Sequence, residues 1–303
     1  QKFIQNIFNY IFNFVYNLFK YLMKSVFLKL LFSIVAFLVP FGITLLLGNQ
    51  LITSIVILIF FIHWLLFIPA YFFQTEKFFD LTGSFTYLIA SFYALLNASS
   101  YTIFSVIVVS CIVCWAIRLG AFLFARINKD GEDKRFREIK PSFSRFLMTW
   151  TLSGTWVSIC LLCVLTAISS KSGLVGGGLF YFGLILFLFG FIIEVVADYQ
   201  KTLFRKNPEN KNKFITTGLW SYSRHPNYMG EILLWFGISI MSISSLSGIE
   251  YITLISPFFV YLLLTRISGV NFLEESANKK WGHLDEYKYY ISKTPKIFFK
   301  LPI

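Results

Sequence analysis

Apolar runs of about twenty residues recur along most of the chain, and they limit its fold more than any other feature of the sequence. Eight runs are candidates for helices that cross a bilayer, and they occupy residues 26–47, 51–73, 85–98, 101–124, 146–168, 174–197, 228–246 and 251–267. Of the 303 residues, 56% are hydrophobic and only 14% are charged, which leaves too few polar groups to cover a soluble core. The sequence therefore predicts an all-α fold, a polytopic transmembrane helix bundle with about eight spans.

Residues 1–24 differ from these spans because polar side chains are spread through them. Ile4, Phe8, Ile11 and Val15 recur at helical spacing, while Asn and Lys residues occupy many of the other positions. This pattern predicts an N-terminal amphipathic helix that lies in the membrane interface. A helix packed against the bundle is the alternative.

The basic residues are distributed unevenly between the two ends of the predicted spans. If the N-terminus is placed in the cytoplasm, 25 of the 27 Lys and Arg residues fall on the cytoplasmic side, as the positive-inside rule requires. We therefore expect an integral membrane protein with both termini cytoplasmic, in the endoplasmic reticulum of a eukaryote or the inner membrane of a bacterium. The net charge of +12 then reflects topology and an anion site, and we expect no nucleic-acid partner.

Two Cys-x-x-Cys pairs, Cys111/Cys114 and Cys160/Cys163, have the spacing of zinc ligands. Both pairs lie inside apolar runs without the loop chemistry of a zinc site. We interpret them as small apolar residues packed between helices and predict no metal site.

A stripe of charged residues follows the sixth predicted span. Glu194, Asp198, Lys201 and Arg205 are spaced by four, three and four residues, so they share one face of a continuous helix. Glu194 lies at or inside the membrane edge, where a carboxylate is expensive and indicates function. A ladder of ion pairs that closes the helix end is the alternative.

Arg118 is the only basic residue deep within a predicted span. A buried arginine needs a carboxylate, a phosphate or carbonyl groups as partner. Glu194 is one candidate partner, and a phosphate of a bound ligand is the other.

The densest group of polar residue types is the run from Thr217 to Glu231. Arg224 and His225 stand just before Pro226, a residue suited to the first turn of a helix, where backbone N–H groups favour an anion. Asn227, Tyr228 and Glu231 add hydrogen-bonding groups, which indicates a binding site for a polar ligand.

The run from Glu194 to Glu231 resembles the steroid 5-alpha-reductase-like family of membrane reductases, and is most similar to its less characterised branch, a domain of unknown function. Ala-Asp-x-Gln at 197–200 and Gly-Leu-Trp-x-Tyr-Ser-Arg-His-Pro-Asn-Tyr-x-Gly-Glu at 218–231 carry the resemblance. Further matches are Trp-Ala-Ile-Arg-Leu-Gly at 115–120, Asp-Lys-Arg-Phe at 133–136 and Arg-Ile-Ser-Gly at 266–269. The resemblance covers residues 76 to the end. Together with the residue pattern of the first 75 residues, which the resemblance does not cover, it divides the chain into the interfacial helix 1–24, N-terminal transmembrane helices 25–75 and a reductase-like transmembrane domain 76–303.

The resemblance implies NADPH-dependent reduction of a carbon–carbon double bond in a hydrophobic sterol, enone or lipid-like substrate. We also expect the helix bundle to contact membrane lipids. A GxGxxG motif is absent, so the cofactor would lie in the helix bundle. Combining the residues with the resemblance, we expect a cofactor site at Arg118, Glu194, Asp198, Lys201, Arg205, Trp220, Arg224, His225, Asn227, Glu231 and Arg266.

The catalytic acid departs from the pattern of the family. Steroid reductases place a tyrosine where this chain has Trp115, and an asparagine where it has Glu194. We therefore assign the proton donor to Tyr228, with Glu76 and Asp80 as further candidates. Arg224 or His225 beside Tyr228 would lower a phenol pKa that is normally near 10.

Two other functions compete with the reductase. Isoprenylcysteine carboxyl methyltransferases, which use S-adenosylmethionine, share a similar Arg-His-Pro-x-Tyr-x-Gly run. A non-enzymatic channel, transporter or scaffold is the third hypothesis, but it leaves the Arg-His-Pro-Asn-Tyr cluster without a role and lacks the broken-helix repeats of many transporters. The sequence assigns neither the substrate nor the oligomeric state.

Overall fold

The computed structural model describes residues 25–267 and 269–299, and their regular secondary structure is helical throughout. The predicted interfacial helix 1–24 lies outside the described residues. The α-helices are, in chain order, α1 Val26–Leu47, α2 Gln50–Phe72, α3 Phe79–Leu96, α4 Ile103–Asp130, α5 Phe143–Ile168, α6 Gly178–Lys206, α7 Pro226–Ile243, α8 Ser256–Leu262, α9 Gly269–Trp281 and α10 Asp285–Lys293.

Shorter helical turns join several of these helices. Single 3₁₀ segments occupy Lys134–Phe136, Pro208–Asn210 and Gly218–Ser221, and a longer one, Gly248–Ile255, leads into α8. A π-helical turn, Leu263–Ile267, follows α8. Bulges of this kind often occur at functional sites.

Within the described residues, seven helical stretches are long and apolar enough to cross a membrane: α1 to α6 and the composite stretch Gly248–Trp281. The chain is thus an integral membrane protein with a polytopic helical fold, as predicted. The remaining predicted span, 228–246, corresponds to α7, which has 18 residues and lies outside those seven. Its first turns carry Asn227 and Glu231, which lower its apolar content.

The described chain divides into two compact units, one made of residues 25–90 and 116–158 and the other of residues 91–115 and 159–299. In the first unit, the rings of Phe67, Phe136, Phe146 and Trp150 are buried together. Thr155 Oγ1 donates a hydrogen bond of 2.9 Å to the carbonyl of Ala36, which joins α5 to α1. This unit contains the predicted site residues Glu76, Asp80 and Arg118.

In the second unit, α6 and α7 run antiparallel with their backbones in close contact at two pairs of glycines. A Cβ atom on Gly183 would lie 2.6 Å from the carbonyl oxygen of Gly237, and one on Gly190 would lie 2.6 Å from that of Gly230. The glycines are seven residues apart on each helix, so both contacts fall on one face. The close approach places the last turns of α6 beside the first turns of α7.

Candidate functional site

Three buried carboxylates lie where the end of α6 meets the beginning of α7. Glu194 and Asp198 on α6 and Glu231 on α7 are each at most 6% exposed. The glycine contact holds α6 and α7 close together at this level, because a Cβ on Gly230 would lie 2.7 Å from the backbone nitrogen of Glu194. The charged stripe predicted on a single helix is therefore present on α6, with its first two members buried.

Glu194 is held by an aromatic side chain of α4. The indole nitrogen of Trp115 donates a hydrogen bond of 3.1 Å to Glu194 Oε2. The ring of Trp115 also packs edge-on against Trp235 of α7, with 5.1 Å between ring centroids. The residue that replaces the tyrosine of the steroid reductases thus orients a buried carboxylate.

Hydrogen bonds hold the Gly218–Ser221 turn against α6. Gly218 has φ +63°, and a Cβ there would lie 2.6 Å from the side-chain amide of Gln200, so a glycine is required. The Gln200 amide oxygen accepts a 2.9 Å hydrogen bond from the backbone of Leu219. Trp220 donates from its indole to the carbonyl of Ala197 over 3.1 Å, and the Lys201 ammonium lies 4.4 Å from the centroid of the Trp220 ring.

The run from Thr217 to Glu231, called the motif below, continues with Ser223 and Arg224. Both residues contact the C-terminal segment 295–297. The Arg224 backbone donates to the carbonyl of Pro295 over 2.9 Å, and Ser223 Oγ donates to the carbonyl of Ile297 over 2.6 Å. Ser223 Oγ also accepts a 3.2 Å hydrogen bond from the backbone of His225. The chain therefore enters α7 in a fixed conformation.

Glu274 of α9 connects the two basic residues of the motif. Its Oε2 accepts from the Arg224 guanidinium at 2.5 Å and its Oε1 lies 2.8 Å from His225 Nε2. Burial lowers the pKa of His225 below its usual value of 6.5, although the hydrogen bond to Glu274 opposes the shift. Burial thus favours the neutral ring, and in the tautomer whose Nε2–H donates to Glu274 the Nδ1 atom is an acceptor.

Three neighbouring side chains of this motif each keep a buried polar atom that has no hydrogen-bond partner among the described residues. These atoms are Arg224 Nε, His225 Nδ1 and Asn227 Oδ1. The Asn227 amide nitrogen meanwhile donates to Asp198 Oδ1 over 3.2 Å, which turns the amide oxygen away from Asp198. A buried polar group without a partner costs about 1–3 kcal/mol, so three together indicate a place for a polar ligand with both donors and acceptors.

Three further predicted residues of the second unit, Tyr228, Arg205 and Arg266, are more exposed. The half-buried ring of Tyr228 stacks on His225 with 5.8 Å between centroids and lies against Gly269, where a Cβ would be 2.8 Å from its Cε2. Arg205, in the last turn of α6, and Arg266, in the π-helical turn, are exposed. Arg205 and Arg266, which the sequence predicts to bind the cofactor, are therefore surface residues.

The predicted residues of the first unit have local partners. Glu76 is buried, accepts a 2.9 Å hydrogen bond from the backbone of Asp133 and pairs with Lys140 at 2.5 Å. The Arg118 guanidinium lies 5.3 Å from the centroid of the Phe122 ring, and Asp80 lies in the first turn of α3. These contacts indicate that Glu76 anchors the loop after α4.

A family model described as "Protein of unknown function (DUF1295)" matches residues 66–294. The chain belongs to this family. The match covers α6, the motif, α7 and Glu274, and it confirms the resemblance to the less characterised branch. In this DUF1295 protein, all three atoms without partners therefore lie inside the family region.

Curated relatives of this DUF1295 protein include two kinds of enzyme. A probable O-methyltransferase, ustE of Ustilaginoidea virens, is 32% identical over 146 residues, 43% of this chain and 49% of that protein. A Delta(14)-sterol reductase of Arabidopsis thaliana is 30% identical over 66 residues, 18% of each chain. A probable 7-dehydrocholesterol reductase of Acanthamoeba polyphaga mimivirus is 26% identical over 139 residues, 40% of this chain and 29% of that protein.

The chain thus spans about half the length of the first of these relatives and less of the others. No solved structure matches this chain. The sterol reductases support a membrane reductase-like family, and the first relative keeps a methyltransferase under consideration.

Several residues that build the site were missed by the sequence analysis. Glu274 and the C-terminal carbonyls of Pro295 and Ile297 lie about fifty to seventy residues after the motif, and no spacing rule links them to it. Gln200 belonged to the recognised Ala-Asp-x-Gln run, so its position was known but its contact with the Gly218 turn was not.

Proposed function

We propose that this protein is a membrane-embedded, NADPH-dependent reductase of a carbon–carbon double bond in a hydrophobic substrate. The observation that carries the proposal is a cluster of three buried atoms, on Arg224, His225 and Asn227, that have no hydrogen-bond partner within residues 25–267 and 269–299. They lie beside the buried carboxylates of α6 and α7. The likeness to two sterol reductases supports it. With the orientation predicted from the basic loops, the site opens to the cytoplasm.

The chemistry of these groups fits a nicotinamide nucleotide. Arg224 Nε is a donor that suits a phosphate or carbonyl oxygen, and Asn227 Oδ1 is an acceptor that suits a carboxamide N–H. Asp198 fixes the Asn227 amide through the 3.2 Å hydrogen bond. NADPH, when bound, would supply the hydride, and Arg224, Asn227 and Lys201 would hold it.

The proton that completes the reduction must come from the protein or solvent. Tyr228, Glu76 and Asp80 are the candidates, and Tyr228 alone lies in the same unit as the atoms without partners. The Glu76 carboxylate is already engaged by Lys140 and by the backbone of Asp133, both in the first unit. We therefore assign the donor to Tyr228, whose ring stacks on His225.

The second candidate function is transfer of a methyl group from S-adenosylmethionine. The specific observation in its favour is that Glu194, Asp198 and Glu231 are all buried, because carboxylates attract a sulfonium cation and repel the phosphates of NADPH. The likeness to the probable O-methyltransferase adds to it. The two functions differ in the cofactor that stabilises the purified protein.

Two substitutions in the motif test the cofactor assignment. Asn227→Ala removes the amide oxygen, and Arg224→Lys keeps a charge for Glu274 but removes Nε. Arg224→Lys is expected to weaken NADPH binding by about 1.5–3 kcal/mol, the contribution of a hydrogen bond to a charged group, or about 10- to 150-fold. Asn227→Ala removes a hydrogen bond between neutral groups and is expected to cost about 0.5–1.5 kcal/mol, or about 2- to 13-fold. Isothermal titration of NADPH into the detergent-purified protein measures the effect.

A matched control is Asn97→Ala, because Asn97 is an exposed asparagine at the end of α3 that only donates to the carbonyl of Tyr93 among the described hydrogen bonds. It should leave the NADPH affinity unchanged. Unaltered affinity in both motif variants would remove the site assignment. Binding of S-adenosylmethionine in place of NADPH would favour the second candidate.

A further inference from the structure

A groove of about 740 Å³ lies beside the proposed site, between the end of α6, the loop that follows it and α10. Its volume is in the range of small-molecule sites. Aromatic side chains form much of its wall, namely Phe204, Phe214, Tyr289 and Tyr290. We propose that this groove holds the adenosine end of the cofactor, with a phosphate on the ribose recognised by Lys213 and Lys293. This inference rests on the proposed NADPH function.

The groove is connected to the proposed site through two elements. Phe204 lies on α6 six residues beyond Asp198, which is about 9 Å along a helix. Tyr290 of α10 donates a hydrogen bond of 2.7 Å to the carbonyl of Trp220 in the Gly218–Ser221 turn. The groove thus shares α6 with the proposed site and adjoins the Gly218–Ser221 turn through Tyr290.

The aromatic side chains of the groove differ in how firmly they are held. Phe214 is held by Trp281, Tyr287 and Tyr290, with centroid distances of 5.7, 5.1 and 5.7 Å. Tyr289 in contrast is 67% exposed, so it keeps a free face for stacking. A purine between fixed and exposed rings gains the stacking energy that aromatic side chains give to any base.

The charged residues of the groove match a phosphorylated ribose. Lys213 and Lys293 line it, and the Lys293 ammonium lies 5.8 Å from the centroid of the Tyr289 ring. Glu286 also lines the groove, and its carboxylate suits a ribose hydroxyl, which is a donor. The charge of Asp285 is partly balanced, because Lys288 pairs with it at 2.9 Å.

The probes are two fragments that lack the nicotinamide: adenosine 2′,5′-bisphosphate and adenosine 5′-monophosphate. They are titrated into the full chain in detergent. The double variant Lys213→Ala/Lys293→Ala should weaken bisphosphate binding by about tenfold or more and leave the monophosphate unchanged. Tyr289→Leu should weaken both, and it should not affect folding because Tyr289 is exposed. Lys279→Ala, at an exposed pair with Glu275 outside the groove, should affect neither.

The outcomes separate this inference from the proposed function. Bisphosphate binding that is absent, or that survives the lysine and Tyr289 substitutions, overturns the groove assignment even if NADPH still binds and depends on Asn227. Bisphosphate binding that depends on the groove residues, in a protein that shows no reduction with NADPH, supports the groove and contradicts the reductase. Fragment binding should persist in Asn227→Ala, because that residue lies outside the groove.

Discussion

Replacing Gly230 with alanine is expected to cause one of the two largest losses of stability in the second unit. A Cβ at this position would lie 2.5 Å from the carbonyl oxygen of Gly190 and 2.7 Å from the backbone nitrogen of Glu194. Backbone atoms cannot move aside as a flexible side chain would, so α6 and α7 must separate. We expect a cost of about 3 kcal/mol, the upper part of the usual range for overpacking, seen as a lower melting temperature in detergent.

The matched control is Gly178→Ala in the first turn of α6, where a Cβ would meet nothing within 4 Å. This variant should melt at or slightly above the temperature of the unaltered protein, because alanine favours helix more than glycine does. Equal melting temperatures for the two variants would show that the helices are not in backbone contact. Gly230→Ala should also weaken nucleotide binding, because the displaced segment carries Glu194.

The second large effect is expected from Glu274→Ala. This substitution leaves the Arg224 guanidinium and the buried His225 ring without the carboxylate that joins them. Breaking a buried pair by removing one partner costs about 3–5 kcal/mol. Because the Glu274 side chain is 20% exposed, we expect the lower end of that range, measured as a loss of thermal stability.

Glu275→Ala is the control on the same helix. Its pair with Lys279 has side chains 57% and 75% exposed, and such surface pairs contribute at most about 1 kcal/mol. Glu274→Gln keeps an acceptor for one hydrogen bond and should fall between the two alanine variants. If Glu274→Ala were as stable as Glu275→Ala, the bridge would have no structural role.

The parts of the molecule that the sequence predicted are those that depend on local periodicity. Apolar runs located the membrane helices, and the spacing of Glu194, Asp198, Lys201 and Arg205 placed all four on one helix, α6. The beginning of α7 at Pro226 also followed from a local rule, since proline suits the first helical turn. In α3 the helix begins at Phe79, six residues before the predicted apolar run, because polar residues such as Asp80 and Thr82 extend it.

The parts that the sequence could not supply depend on pairing between distant segments. The sequence identified Trp115 as the residue in place of the family's tyrosine, but it did not reveal the hydrogen bond that Trp115 donates to Glu194, 79 residues away. Glu274 accepts a hydrogen bond from Arg224, which lies 50 residues earlier in the chain. Sequence spacing could not reveal that Arg224, His225 and Asn227 each keep a buried polar atom without a hydrogen-bond partner among the described residues. That property depends on the positions of all neighbouring donors and acceptors in the folded protein.

Hydride transfer from NADPH to a carbon–carbon double bond is the reaction we propose, and isotope transfer can detect it. The purified protein is incubated with a lipid extract and either NADPH deuterated at the transferable position or S-adenosylmethionine with a deuterated methyl group, and the lipids are analysed by mass spectrometry. We expect a lipid product that has lost one double bond and gained one deuterium and one protium, in an amount that falls in Asn227→Ala. Appearance of a trideuteromethyl group on a lipid, without deuterium from NADPH, would contradict this expectation.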